Sequence, residues 1–389
     1  MSWQECSLEM LIDLHDHRRI PLSGVEREKR QGEFRYYGAQ GVIDHIDAYI
    51  FDGEYVLVAE DGENLRSRKQ PIAQIASGQF WVNNHAHILQ AKEGVSNNAF
   101  ICALLNWIDI SPFVTGAAQP KLSQGSLKTI KVRAPDAGTQ LQIATVLSAY
   151  DDLIATNQRR IALLEDAARR LYREWFVHLR FPGYESVPVK DGVPEGWAKL
   201  PLGDVAEITM GQSPESKYYN TDGDGLPFHQ GVSDFGHRFV KHETYTKQAT
   251  RIGEAGDILC SVRAPVGRLN LTRDKIAIGR GLSTMRSRAG HQSLLFYQLD
   301  ALFVEEDMIG GGAIFASVGK KELFGQLILQ PSTSIATTFN RLAADLDTQI
   351  ENLNLQNQEL AQARDLLLPK LMSGQLDVSG IRIPDEAAA

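Results

Sequence analysis

Two long stretches of this chain carry apolar residues at alternating spacings of four and three. After Pro135 the seam reads Ile143, Leu147, Tyr150, Ile154, Asn157, Ile161, Leu164, Ala168, Leu171, Trp175. After Pro331 it reads Phe339, Ala343, Leu346, Ile350, Leu353, Asn357, Leu360, Arg364, Leu367, Leu371. A strict heptad kept over more than four repeats predicts coiled-coil helices, since a lone amphipathic helix drifts toward a period of 3.6. The spacing places them at 136–176 and 332–373. Each proline disfavours helical backbone in the residue before it, and Asp136, Ser332 and Thr333 follow as candidate N-caps.

The intervening pattern is different. Residues 1–134 mix short apolar runs with turn signals (Asp52-Gly53, Asp61-Gly62, Ser77-Gly78), which predicts short strands with some helix. A Pro/Gly-rich connector, RFPGYESVPVKDGVPEGW, leads into a second strand-and-turn stretch from Trp197. The chain also repeats itself: an offset of 196 lays Gly116 on Gly312, Leu127 on Leu323, Pro135 on Pro331, Asp151 on Asp347 and Ile154 on Ile350. Trp3 and Leu8 meet Trp197 and Leu202 at 194. Two unlike globular units, each followed by a similar helix, describe one scaffold presenting two binding surfaces. The predicted fold class is α+β, with two globular α/β domains joined by two long helices and a pseudo-twofold internal repeat. The boundaries are 1–134, first domain; 135–178, first helix; 179–196, linker; 197–330, second domain; 331–373, second helix; 374–389, tail.

The helices should pair antiparallel. Each seam has one asparagine near its middle, and a parallel pairing would set both against apolar residues, costing roughly 1–3 kcal/mol apiece. Reversing one helix brings Asn157 opposite Asn357, Ala168 opposite Leu346, Leu171 opposite Ala343, Trp175 opposite Phe339 and Tyr150 opposite Arg364. The Asn–Asn layer would fix register. The alternative is that each helix packs only on its own domain. A paired rod of this kind would be about 50 Å long, roughly one and a half turns of duplex DNA.

Composition narrows the class. Three well-separated cysteines (Cys6, Cys102, Cys260) fit a reducing compartment rather than a disulfide framework. The first residues, MSWQECSLEM, do not read as a signal peptide, and the apolar stretch 99–108 is too short to span a bilayer. A cytoplasmic protein without membrane contact is expected. The net charge of −8 hides strong local bias. Residues 238–288 hold 11 Lys/Arg against 4 Asp/Glu, and 119–133 hold Lys121, Lys128, Lys131 and Arg133 with no acid. Residues 44–63, by contrast, are purely acidic. The pattern suggests DNA contact on one side and protein contact elsewhere; ordinary solvated surface charge is the plain alternative.

With these elements, the chain resembles the specificity subunits of type I restriction–modification enzymes over essentially its whole length. The most family-like pieces are LSAYDDLIATNQRRIALLEDAARRLYREWFVHLRFPG and LDTQIENLNLQNQELAQARDLLLPKLMSGQL after the two variable units. GEYVLVAEDGENL, FWVNNHAHIL and GDILCSVRAPVGRLNL resemble elements of the family's target recognition domains. The resemblance implies that each domain reads one half of a split site on double-stranded DNA while the helices act as spacer. It implies docking of two methyltransferase subunits, joined by restriction/motor subunits. S-adenosylmethionine, ATP and Mg²⁺ would be used by those partners, with no cofactor on this chain.

Candidate DNA-contacting residues follow from loop chemistry. FRYYGAQG sets Tyr36, Tyr37 and Gln40 around a glycine turn, and FHQGVSDFGHRF sets His229, Gln230, Ser233, His237 and Arg238 in a comparable loop. Asn83 and Asn84 could bond adenine or simply make a turn. His85 and His87, two apart, share a strand face but lack further ligands at metal spacing, so a strand-and-turn element near DNA, including His85, is favoured over a metal site. Arg66, Arg68, Lys69, Arg263, Arg268 and Arg280 suit backbone phosphates. The glycines of IGRG (278–281) and IGGG (309–312) read as turns, not a phosphate-cradling loop. Gln119-Pro120 and the glycines before Phe315 look like hinges ahead of each helix.

No catalytic residue is evident. The chain has no Asn-Pro-Pro-aromatic string, no Walker sequence and no nuclease carboxylate–lysine cluster. A non-catalytic recognition subunit is therefore the leading expectation. A protein–protein adaptor with two ligand-binding heads, or an unrecognised DNA-modifying enzyme, stays open.

Overall fold

The computed structural model describes residues 3–305 and 317–381. The 309–312 glycines, the stretch before Phe315 and the end of the tail lie outside them. The chain divides into two compact units, Met1–Asn157 with Leu355–Ala389, and Gln158–Asn354. Each unit thus holds a globular portion together with part of both long helices, where the sequence reading had set helices and domains apart.

The first unit is built on a six-stranded sheet. Its strands run in the order Ile12–Leu14, Ala86–Ala91, Phe51–Ala59, Ala73–Val82, Gln31–Gly38, Gly41–Ile46. All neighbours are antiparallel except Gln31–Gly38 with Ala73–Val82. Both faces are covered. One packs Val56, Val58 and Leu89 with the helix Asn98–Trp107, and the other buries Phe51, Tyr55, Leu57 and Phe80.

The second unit uses different sheets: four strands (Ala206–Met210, Leu282–Ser287, Ile258–Ser261, Leu269–Leu271) and five shorter ones around Leu226–His229 and Ile276–Ile278. The helix Gln292–Glu305 supplies Leu294, Leu295, Tyr297 and Leu299 to its core.

What repeats is the attachment. Gln4–Ser7 pairs antiparallel with Lys131–Ala134, and Ala198–Pro201 pairs antiparallel with Leu327–Gln330. Even single hydrogen bonds correspond: Leu8 N–H to the Ile130 carbonyl at 2.9 Å, and Leu202 N–H to the Gln326 carbonyl at 2.7 Å. Leu127 and Leu323 sit buried behind these clasps. The sequence repeat therefore fixes the base of each domain and leaves the body free to differ.

The long helices run Ala137–Tyr172, closed by a π turn at Arg173–Val177, and Thr333–Met372. Asp136 caps the first, accepting the Thr139 N–H at 3.0 Å, which holds its carboxyl below the ordinary range. In the first unit, Ile143, Ala144 and Leu147 share a core with Leu367, Leu371 and Met372, and Arg364 pairs with Asp151 at 2.5 Å. In the second, Ile161 packs with Ile350 and Leu353, and Trp175 meets Phe339 with ring centroids 5.7 Å apart. In both, numbers rise on one helix as they fall on the other, so the pairing is antiparallel. Asn157 is buried, but the buried Asn357 Oδ1 has no hydrogen-bond partner among the described residues, so the expected register-fixing Asn–Asn bond is not made. The expected Tyr150–Arg364 layer gives way to ion pairs of Arg364 with Asp151 and Asp365, because a guanidinium gains more from two carboxylates than from a ring face.

Gly374 ends the second helix at φ +74°, and a Cβ there would lie 2.4 Å from the Trp3 indole nitrogen. Trp197 likewise packs on the end of the first helix, 5.6 Å from Phe176 and 4.6 Å from Phe181. Among the described residues no helix is long and apolar enough to cross a membrane.

Candidate nucleic-acid interface

The structure sorts the sequence candidates by accessibility. In the first unit Gln40, Arg66, Lys69, Asn84 and His85 are exposed, whereas Tyr36, Tyr37 and Asn83 are buried. Tyr36 and Tyr37 are therefore core residues, not base readers. Successive strand residues point to opposite faces, and here both faces are covered. Tyr36 packs with Ile46 and Trp81, its hydroxyl accepting the Leu22 N–H at 2.9 Å, and Tyr37 lies against Phe80. Asn83 turns the chain: its Oδ1 accepts the His85 N–H at 2.8 Å, so the turn reading replaces adenine contact.

Two of the arginines are also occupied. Arg68, half-buried at φ +51°, donates to the carbonyls of Asn106 at 2.6 Å and Ile108 at 3.2 Å, closing the end of the helix Asn98–Trp107. Burial holds its pKa below the usual value, and its guanidinium serves these carbonyls rather than a backbone phosphate. Arg66, though exposed, donates to the Gly116 and Ala117 carbonyls. With Gly62 N–H on the Pro120 carbonyl, those bonds pin the Gln119-Pro120 segment, which is a fastened turn and not a hinge.

Behind the exposed loop lies a buried polar network. Asp16, Glu60 and His87 bring potential ligand atoms within 4.8 Å of one another. Their hydrogen bonds are already committed. His87 Nε2 donates to the Leu122 carbonyl at 2.8 Å, and Nδ1 faces Asp16 at 2.6 Å. Glu60 is bound by Arg19 at 2.6 Å and Lys121 at 3.2 Å. Burial raises the pKa of Asp16, but His87, the Ile88 N–H and Arg19 outweigh it and hold the carboxyl below its ordinary value. Two cations already neutralise the carboxylates, so the set does not fit a metal.

In the second unit Gln230, Ser233, His237, Arg263, Arg268 and Arg280 are exposed, while His229 and Arg238 are buried. His229 is structural: Nδ1 bonds Asp234 at 3.0 Å, and Nε2 meets His242 Nδ1 at 3.0 Å, which continues to Asp274 at 3.0 Å. Ser233 donates to Asp234 at 2.9 Å, and His237 approaches Glu165 at 3.6 Å.

Arg238, expected on a DNA-contacting loop, is instead buried. It stacks over Phe296 at 4.2 Å, bonds Asp347 and the Tyr297 hydroxyl, and lies 3.7 Å from Glu165. Asp347 belongs to one long helix and Glu165 to the other. Burial works against the Arg238 charge, and Asp347, Tyr297 and Glu165 more than offset it, leaving its pKa above the usual value. An arginine on a glycine-framed loop read as a DNA ligand; it is a latch from domain to helices. Glu165, Asp347 and Tyr297 escaped sequence reasoning. The one available signal was a pair of acids within helices otherwise read for their apolar seam. Cys102 and Cys260 are pushed by burial up to about 12, so neither supplies a reactive thiolate.

Comparison with known proteins agrees with this architecture. A family model described as type I restriction modification DNA specificity domain matches residues 2–166. A protein named as the MjaX specificity subunit of a type I restriction enzyme, from Methanocaldococcus jannaschii, is 33% identical over 67% of this chain and 62% of its own length. The type I restriction enzyme MjaIX specificity subunit of that organism is 25% identical, over 82% of this chain and 78% of its own. The crystal structure of the S subunit of a type I restriction–modification system from M. genitalium superposes with a TM-score of 0.62 at 14% identity, covering 95% of this chain and 96% of that one, which is a likeness of fold. This chain belongs to the type I restriction–modification specificity-subunit family. It spans about 62% of the first of those relatives.

Proposed function

We propose that the chain is the DNA-recognition subunit of a type I restriction–modification complex, each domain reading one half of a bipartite duplex target. The carrying observation is the pair of identical clasps holding unlike bodies, one six-stranded sheet in the first unit and a four- and a five-stranded sheet in the second. Constant attachment with variable bodies suits two independent readers. Exposed Gln40, Lys69, Asn84, His85, Gln230, Ser233, Arg263, Arg268 and Arg280 are available for DNA. The helices also hold leucines away from the seam, Leu153 at 53% exposure, Leu163 at 63% and Leu366 at 71%. Docking of two methyltransferase subunits on the helices, with restriction subunits joining through them, belongs to the same reading. S-adenosylmethionine, ATP and Mg²⁺ chemistry belongs to those partners, and this chain contributes none.

Exchanging residues 1–134 for another recognition domain should change one half of the methylated sequence and leave the other intact, read by sequencing methylated adenines. Non-specific duplex binding with the methyltransferase present would instead favour a protein–protein adaptor. Binding of S-adenosylmethionine or nicking of DNA by the isolated chain would favour an enzyme.

A further inference from the structure

Resting on that DNA-recognition reading, we propose that Gln230 and Arg280 form the base-reading head of the second domain and that it reads a guanine in the major groove. Three segments meet there under tight backbone control. Gly211 N–H bonds the Leu282 carbonyl at 2.9 Å, Gln212 N–H bonds the Ile278 carbonyl at 3.0 Å, and Gly279 N–H bonds the His229 carbonyl at 2.8 Å. Side chains are excluded at the junctions. A Cβ on Gly211 would lie 2.1 Å from the Gly279 carbonyl oxygen, one on Gly281 2.4 Å from the Gln230 carbonyl, and one on Gly279 2.9 Å from Gln230 Oε1. This is the physical role of the IGRG glycines: they let the Gln230 side chain lie against the loop.

Ser213 then orients that amide. Its hydroxyl accepts the Arg280 N–H at 3.2 Å and donates to Gln230 Oε1 at 2.9 Å. That bond turns the Gln230 oxygen toward Ser213 and takes one of its two acceptor sites, while the amide N–H groups of this exposed side chain make no hydrogen bond among the described residues. The donor-plus-acceptor pairing with adenine needs that oxygen, so Gln230 suits an acceptor edge instead. Beside it Arg280 is exposed and pairs with no carboxylate among the described residues. An all-donor pair matches the O6 and N7 acceptors of guanine. A phosphate contact would need no such orientation. Ser213 is thus a positioning residue, and the rigid cradle spares the ordering cost of a mobile reader.

The test uses the chain bound to its methyltransferase subunits and a duplex carrying the target found by sequencing methylated adenines. Each guanine is replaced singly by 7-deazaguanine, which lacks the N7 acceptor. At one guanine the replacement should weaken binding about tenfold. Arg280→Ala should bind natural and 7-deaza duplexes equally at that position, whereas Arg280→Lys, whose ammonium still donates to N7, should retain part of the sensitivity. Ser213→Ala should keep binding and blunt discrimination at that same guanine. A target with no 7-deaza-sensitive guanine, full sensitivity that persists in Arg280→Ala, or an Arg280→Ala loss uniform across sequences overturns the proposal while leaving specific binding intact. Equal binding to all duplexes by the unaltered complex would sink the recognition reading itself.

Discussion

Arg238→Met is the sharpest probe of how the second domain is held to the helices. The substitution keeps the unbranched stem and removes the guanidinium, leaving Asp347, Glu165 and the Tyr297 hydroxyl without their shared donor. Arg238 is 3% exposed, so water does not replace those bonds. Removing one partner of a buried pair typically costs about 3–5 kcal/mol, and the stacking on Phe296 adds roughly 0.5–2 kcal/mol. Asp347 is more open, at 20% side-chain exposure, which argues for the lower end, about 3 kcal/mol. Urea unfolding should show the loss as a lower midpoint at unchanged slope. Hydrogen exchange should speed up around Glu165 and Asp347. Arg238→Met with Asp347→Asn should cost less than the sum of the two singles, by more than about 1 kcal/mol. A single-mutant cost under about 1 kcal/mol, or additive singles, would refute the latch.

Other expectations concern separate places. Asn357→Leu removes an unpartnered buried oxygen and should raise stability by up to about 1 kcal/mol; a lower thermal midpoint would contradict it. Asn157→Leu with Asn357→Leu should keep or raise stability while loosening register, and additivity in the cycle would count against a shared layer. Gly374→Ala forces a side chain into left-handed backbone and against Trp3, costing about 1–3 kcal/mol, checked by urea unfolding and by altered Trp3 emission. Asp16 titrates below its ordinary value in the folded chain. Its contribution is therefore complete above the unfolded value near pH 4 and lost as pH falls through the folded value. Asp16→Asn should lower stability at neutral pH and flatten the acid limb of the pH–stability curve.

The parts of the fold that were legible in sequence follow a simple period. The heptad seams gave both long helices, and the layer pairing of Trp175 with Phe339 came from reversing one seam on the other. The clasps were readable as matched residues, Leu8 with Leu202 and Leu127 with Leu323. Burial of loop residues was not readable. FRYYGAQG looks the same whether one sheet face is wet or both are covered, and only the packing of Tyr36 on Ile46, Trp81 and Leu22 and of Tyr37 on Phe80 decides that they are inside. Arg238 was misread because its partners lie more than a hundred residues later and about seventy earlier, on surfaces chosen for their apolar stripe. Gln230 and Arg280 stayed exposed, but the role of Ser213 needed coordinates, since nothing in sequence joins positions 213, 230 and 280.

The two clasps carry one last consequence. Because Gln4–Ser7 lies beside Lys131–Ala134, and Ala198–Pro201 beside Leu327–Gln330, each insert departs and returns at one doorway. Genetic crossovers falling in the flanking constant segments would transplant a whole reader without a frayed join. New specificities could then spread by cut-and-paste, provided a piece placed in the second position brings a cation able to meet Glu165 and Asp347.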